Sequence, residues 1–203
     1  MFDPDLVASI CQHMIQSVNI PVTVKCRLGV DNKDSWEDII KFIETVSQKG
    51  GVQKFIIHAR KAFLSGLDPK QNRTIPPLKY DWVLRLKQTF PHLSFVINGG
   101  FTTVEQIQEI LVPENQLEGC MVGRMAMNTT WEIAKMDSLF YGEQTQTLNR
   151  KQMMLDYAEF AQAHQDEESA AGGKLSNTIL VRPLINLFVS EYKGADFRKH
   201  LNG

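Results

Sequence analysis

Several things are scarce in this chain of 203 residues, and each scarcity removes a class of protein. It has three cysteines, Cys11, Cys26 and Cys120, odd in number and far apart, which fits neither a disulfide framework nor a zinc spacing. They read as reduced thiols of a cytoplasmic-type protein, without excluding an organelle. No stretch approaches the roughly 18 uninterrupted apolar residues of a membrane span. The N-terminus, MFDPDLVASICQHMIQ, carries acids where a signal peptide carries lysines. Charge of one sign is also missing: 22 Lys and Arg against 23 Asp and Glu leave a formal net charge of -1. Any surface for nucleic acid must therefore be local. No G-x-G-x-x-G turn is present, which argues against a dinucleotide-binding doubly wound sheet. Neither a metal site nor a membrane partner is expected.

What is present is an alternation of short apolar runs and helical patterns. Four runs read as buried strands: 21–28 (PVTVKCRL), 54–58 (KFIIH), 93–98 (LSFVIN) and 119–123 (GCMVG). Between them, Ser35 with Asp38 three residues on opens a helix with Trp36, Ile39, Ile40, Ile43 and Val46 on one face, stopped by Gly50 and Gly51. Residues 80–89 follow the Pro76–Pro77 breaker. Another helix opens at Thr102 or Thr103, with Glu105 and Gln106 at capping-box distance, and a fourth is expected after Asn128. Before the first strand, Leu6, Val7, Ile10, Cys11, Met14 and Ile15 form one more apolar stripe. Strands alternating with helices predict a parallel sheet with right-handed crossovers.

Small polar clusters close each run: Lys25 and Arg27; His58 and Arg60; Asn98, Gly99 and Gly100; Gly123 and Arg124. One such cluster at every strand end is the mark of a (β/α) barrel's active face. The α/β fold expected is thus part of a (β/α)8 TIM barrel, four units of eight, over residues 1–141, and the family resemblance given below implies that they are its C-terminal half. The rest, 142–203, has apolar residues at helical spacing (Met153, Met154, Tyr157, Phe160, Ala161; then Leu184, Ile185, Leu187, Phe188, Val189) on either side of an acidic, small-residue break at 166–173. It reads as a small α-helical domain.

Each cluster admits a functional and a structural reading. Lys25 shares a strand face with Thr23 and Arg27. It either meets a cofactor ring that takes on negative charge or reaches water at a strand edge. His58 and Arg60, at i and i+2, are either a ligand site or a satisfied structural pair. Asn98-Gly99-Gly100 either lets backbone approach a ligand or is a plain turn. Gly123-Arg124, after the last strand, stands where barrels often cradle phosphate. Residues 60–79, RKAFLSGLDPKQNRTIPPLK, carry Arg60, Lys61, Lys70, Arg73 and Lys79 against Asp68 alone. That loop is either an RNA contact or a solvated basic segment.

The strings VTVKCRLGVDNKDSWEDIIKFIETVS, FIIHARKAFLSGLDPKQNRTIPPLKYDWVLRLKQTFPHL, INGGFTT and GCMVGRMA resemble the tRNA-dihydrouridine synthases, most closely the A type that modifies the D-loop. The resemblance runs from about Phe2 to about Gly142 and more weakly through the tail. It implies an FMN-dependent (β/α)8 barrel with a C-terminal helical domain and tRNA lying across both. By matching motif, Lys25 and His58 would contact the flavin, and Asn98, Gly99, Gly100, Gly123 and Arg124 would hold its ribityl-phosphate end. Arg60, Lys70, Gln71 and Arg73 of the loop, and Arg182 and Arg198 of the tail, would meet tRNA. The implied reaction reduces the C5–C6 bond of a uridine: NADPH reduces FMN, hydride passes to C6, and a cysteine protonates C5. That cysteine belongs to an Asn-x-Gly-Cys-Pro-type loop, which this sequence does not contain. The chain is therefore expected to be a truncated synthase without its own proton donor, inactive alone, with barrel edges that self-associate. The alternatives are a noncatalytic tRNA-binding remnant of the family and an unrelated flavin or sugar-phosphate barrel.

Overall fold

The computed structural model describes residues 1–143 and 149–202 and divides into two compact units, Met1–Val122 and Gly123–Gly203. In the first unit, strands and helices alternate in chain order: α1 Pro4–Ser17, β1 Thr23–Val30, α2 Trp36–Gln48, β2 Lys54–Ala62, α3 Tyr80–Thr89, β3 Ser94–Asn98, α4 Val104–Ile110 and β4 Gly119–Met121. The strands form one parallel sheet in the order β1-β2-β3-β4. Neighbours in sequence are neighbours in space, which is how consecutive right-handed crossovers build a barrel wall.

Local chemistry explains the boundaries. At α2, Ser35 Oγ accepts from the Asp38 amide at 3.1 Å while Asp38 accepts from the Ser35 amide at 3.2 Å. At α4, Thr103 and Gln106 repeat that reciprocal capping. Gly51, at φ 75°, ends α2 in the left-handed conformation that glycine adopts without a Cβ penalty.

The pleat sorts the strands into two faces. Phe55, Ile57, Phe95 and Ile97 are fully buried, as are Ile39, Ile43 and Val46 of α2 and Val83 and Leu86 of α3; α3 packs against β2 and β3, and α2 against β1. Each such side chain contributes about 1.5–3 kcal/mol by leaving water. Cys26 and Cys120 share a register row with Ile57 and Ile97, so both thiols lie on this helix-facing side. The opposite face carries Lys25, Ile56, Val96, His58 and Asn98. The apolar stripe expected on α1 is split: Ala8 and Cys11 are buried toward α2, whereas Leu6, Ile10 and Met14 are exposed.

Several expected element bounds are corrected. β2 does not end at His58 but continues to Ala62, so Arg60 is a strand residue and the loop proper begins at Phe63. The continuation pairs with a lengthened β1: Gly29 meets Lys61 and Val30 meets Ala62 after a bulge that shifts the register. The helix expected after Asn128 is present as a 3-10 segment Thr130–Lys135 running into α6 Met136–Tyr141, and a short helix that was not expected, α5 Arg124–Asn128, precedes it. The break expected at 166–173 is mostly helix: α7 runs Arg150–Ala170. Glu and Ala are strong helix formers, and only Gly172, at φ 82°, turns the chain out.

The second unit is helical. After α7 come α8 Asn177–Val181, a 3-10 turn Arg182–Leu184 and α9 Gly194–Asn202. Arg150 ties it together: its guanidinium lies 4.4 Å from the Trp131 ring centre and 5.2 Å from that of Phe188, and it pairs with Glu191 at 2.8 Å. Leu187 and Met125 are buried, and Phe188 packs edge-on against Phe197. Phe160, expected on the apolar face of α7, is exposed. No helix among the described residues is long and apolar enough to cross a membrane.

Candidate cofactor and nucleic-acid site

The parallel register converts separate strand ends into one row. Arg27 pairs with His58, His58 with Asn98, and Asn98 with Met121. One pleat earlier, Lys25 pairs with Ile56 and Ile56 with Val96. A lysine, a histidine and an asparagine that are distant in sequence therefore share the sheet face away from the helices, near its C-terminal end. Lys25 is exposed there and makes no ion pair among the described residues. His58 is buried, at 9% exposure. The Asn98 amide donates to the Met121 carbonyl at 2.7 Å, linking β3 to β4 and leaving a second N–H and a carbonyl oxygen.

The Asn-Gly-Gly turn owes its glycines to the protein's own packing. Gly99 sits at φ 114°, and a Cβ there would lie 2.5 Å from His58 Cδ2 and 2.9 Å from Nε2. Gly100, at φ 79°, would place a Cβ 2.5 Å from Leu78 Cδ1. Tyr80 clamps the turn from outside, its hydroxyl donating to the Gly99 carbonyl at 2.6 Å while its ring stacks on Phe101. These contacts fix the imidazole against the turn. In the second unit, Gly123 precedes α5 with open space around it, and Arg124 is exposed.

The basic loop is a folded object. Arg27 Nη1 donates to the Lys61 carbonyl at 2.8 Å and to the Asn72 carbonyl at 2.7 Å. Arg60, 8% exposed, donates to the carbonyls of Thr74 and Pro76. The Asn72 side chain accepts from the Phe63 amide at 2.8 Å and donates to the Phe63 carbonyl at 2.8 Å, like a rung of sheet. Asp68 and Gln71 cap each other around a single 3-10 turn, Gln71–Arg73. Burial, then the neighbouring Arg60 and Arg73 guanidiniums, push the Arg27 guanidinium below its ordinary value. The arginines thus concentrate positive charge and hold the loop by its carbonyls. Lys70, Gln71 and Arg73 remain exposed, while Arg60 faces inward. In the second unit Arg182 is exposed on its 3-10 turn and Arg198 is half-buried on α9.

Sequence reasoning missed Asn72 and Tyr80 as organisers of the site, and it saw Arg27 without its role. The Asn-Arg pair within the loop was the available signal for Asn72. Nothing local marked Tyr80, whose partner is 19 residues away.

This arrangement of strand-end polar groups and an arginine-braced basic loop can be set beside known proteins. A dihydrouridine synthase (Dus) family model matches residues 1–202. The chain belongs to the dihydrouridine synthase family. Its relatives include the tRNA-dihydrouridine(20/20a) synthase of Vibrio cholerae, 38% identical over 202 residues, which covers 100% of this chain and 59% of that protein. The protein of the same name from Shewanella oneidensis is 41% identical, covering 100% of this chain and 57% of its own length. That of Escherichia coli is 48% identical over 142 residues, covering 70% of this chain and 42% of its own length. The chain thus spans under three-fifths of the length of the curated relatives it matches end to end. The four parallel strands with their helices are part of the TIM barrel of this family.

Proposed function

We propose that this chain supplies the FMN- and tRNA-binding part of a tRNA-dihydrouridine synthase, which reduces a D-loop uridine to 5,6-dihydrouridine with NADPH. The observation that carries the reading is the Arg27–His58–Asn98–Met121 row with Lys25 one pleat behind it. The donor set fits FMN. On the sheet an ammonium, an imidazole and a partly engaged amide share one face; the second unit, taken by itself, has a glycine with open surroundings before an exposed arginine at the start of α5. Bound FMN would supply hydride for uridine C6 after its own reduction by NADPH.

The protein's own groups do the rest. Lys25 favours negative charge on a ring lying over its face, and more strongly as water is excluded. His58, wedged against Gly99, and Asn98, tied to Met121, hold fixed directions, so little reorganisation is needed when they donate. The Gly123–Arg124 segment suits a phosphate monoester, for which arginine offers paired N–H donors. Exposed Lys70, Gln71 and Arg73 are the tRNA contacts of the loop, and Arg182 and Arg198 are, separately, the tRNA candidates of the helical unit. Arg60 serves the loop contacts by shaping the loop from inside. The target uridine must leave its stack, at a cost of a few kcal/mol that these contacts offset. The proton for C5 is not drawn from this chain's cysteines. Cys26 and Cys120 are on the helix-facing side, their thiols pushed up to about 12 by burial, and Cys11 is buried in α1.

FMN titration of the purified chain, followed by flavin fluorescence, tests the cofactor assignment. Binding should weaken about tenfold or more in Arg124→Ala, the value of one charge-assisted hydrogen bond. Equal affinity in the two proteins would remove Arg124 from the site. With unmodified tRNA, FMN and NADPH, the chain alone should form no dihydrouridine. Product formation would refute the assignment of the acid.

A further inference from the structure

A second feature lies apart from the flavin face. A cavity of about 180 Å3 opens where the end of β1, the segment before α2 and the start of α3 meet, lined by Leu28, Asp34, Lys61, Pro77, Lys79 and Trp82. Two of these are lysines, at opposite ends of the basic loop. Lys61 Nζ pairs with Asp34 at 2.7 Å and also donates to the Asp31 carbonyl at 3.3 Å. Lys79 Nζ stands 4.0 Å from the centre of the Trp82 ring, and among the described residues it makes no ion pair. Two ammonium groups against one carboxylate leave one positive charge over.

The walls are as informative as the charge. Trp82 is itself braced edge-on against Trp36, 5.5 Å away, and the Arg85 guanidinium lies 4.1 Å from the Trp36 ring centre. The indole is therefore held in place with a cation beside it, and Pro77 and Leu28 complete an apolar lining. A small anion alone would use the lysines but not these walls. An anion carried on a flat or puckered organic ring would use both. A nucleotide unit has that composition, with phosphate for the ammonium groups and ribose or base for the indole and proline. The exposed Lys70 and Arg73 belong to the same basic segment, between Lys61 and Lys79 in sequence.

We propose that this cavity seats one phosphodiester of an RNA strand, with Lys79 as the phosphate contact and Trp82 as the surface for the attached sugar or base. Asp34 holds Lys61 in position and keeps the net charge at a single unit. The proposal rests on the reading of this chain as tRNA-binding and adds a contact outside the loop tip and the tail.

Salt-dependent binding of the full chain to an unmodified tRNA transcript and to a single-stranded oligouridylate tests it, with Lys79→Gln and Lys70→Gln as variants. Each phosphate contact contributes about 0.7–0.9 to the slope of log affinity against log salt. Lys79→Gln should lower the slope by that amount, and its affinity deficit should shrink roughly threefold between about 50 and 200 mM salt. A slope equal to that of the unaltered chain, while Lys70→Gln lowers it, would overturn the cavity assignment and leave the tRNA reading standing. So would a Lys79→Gln protein with a lower melting temperature but unchanged slope, because the Lys79–Trp82–Trp36–Arg85 array would then only staple α2 to α3. Lower slopes on both RNAs without preference for tRNA would support the cavity and count against the tRNA reading. Absence of binding to either RNA at low salt would overturn both.

Discussion

Gly99 is the position where backbone conformation and packing against His58 converge, and both oppose a side chain there. Gly99→Ala imposes two costs. The first is conformational, since φ of 114° is one that L side chains rarely adopt; such strain costs about 1–3 kcal/mol. The second is steric. The new methyl would lie 2.5 Å from His58 Cδ2, and an imidazole that is 91% buried has little room to retreat. Overpacking of this kind costs about 1–3 kcal/mol more. Gly66→Ala separates the two, because Gly66 is at φ 81° with nothing within 4 Å of its Cβ position. Thermal melts of the single variants should place Gly99→Ala below Gly66→Ala. The steric part is isolated by repeating Gly99→Ala in a His58→Ala background. There the substitution should cost about 1–3 kcal/mol less, a coupling expected only of residues in contact. Additive costs in that cycle would refute the account of why this turn needs glycine.

The loop brace and the buried thiols can be probed in the same way. Arg27→Ala removes the bonds to the Lys61 and Asn72 carbonyls, so protection of the loop amides against hydrogen exchange should fall by on the order of 2 kcal/mol, and unchanged protection would reject the brace. Cys26 and Cys120 should be alkylated roughly a thousandfold more slowly in the native chain than in denaturant at about pH 8, as thiols held up to about 12 by burial carry almost no thiolate there. Because those values are raised on folding, the native state keeps this contribution below about pH 9 and loses it as the pH climbs toward about 12, which an alkaline denaturation curve would register.

The contrast between the two glycine-containing strand ends explains why the candidate site was only half legible. Asn98-Gly99-Gly100 and Gly123-Arg124 look alike in sequence, as small residues at a strand end. In the structure the first is crowded by His58, Leu78 and Tyr80, and the second stands in open space. Arg60 and Arg73 likewise read as equivalent cations of one basic run, yet the first is buried against loop carbonyls and the second is exposed.

What the amino-acid order determined by itself was everything carried by short-range pattern. Ser35–Asp38 and Thr103–Gln106 announced their helices because a capping box is made within four residues. The apolar runs announced β-strands in parallel because helical stretches lie between them, and the family motifs followed the same strand ends. What only tertiary structure decided was pairing. The bulge that lengthens β1 and β2 to Val30 and Ala62, the row that aligns Arg27, His58 and Asn98, and the inward turn of Arg60 each join residues tens of positions apart or separated by a fold in the chain. Register and burial are properties of the assembled sheet, and no local preference of lysine, arginine or glycine encodes them.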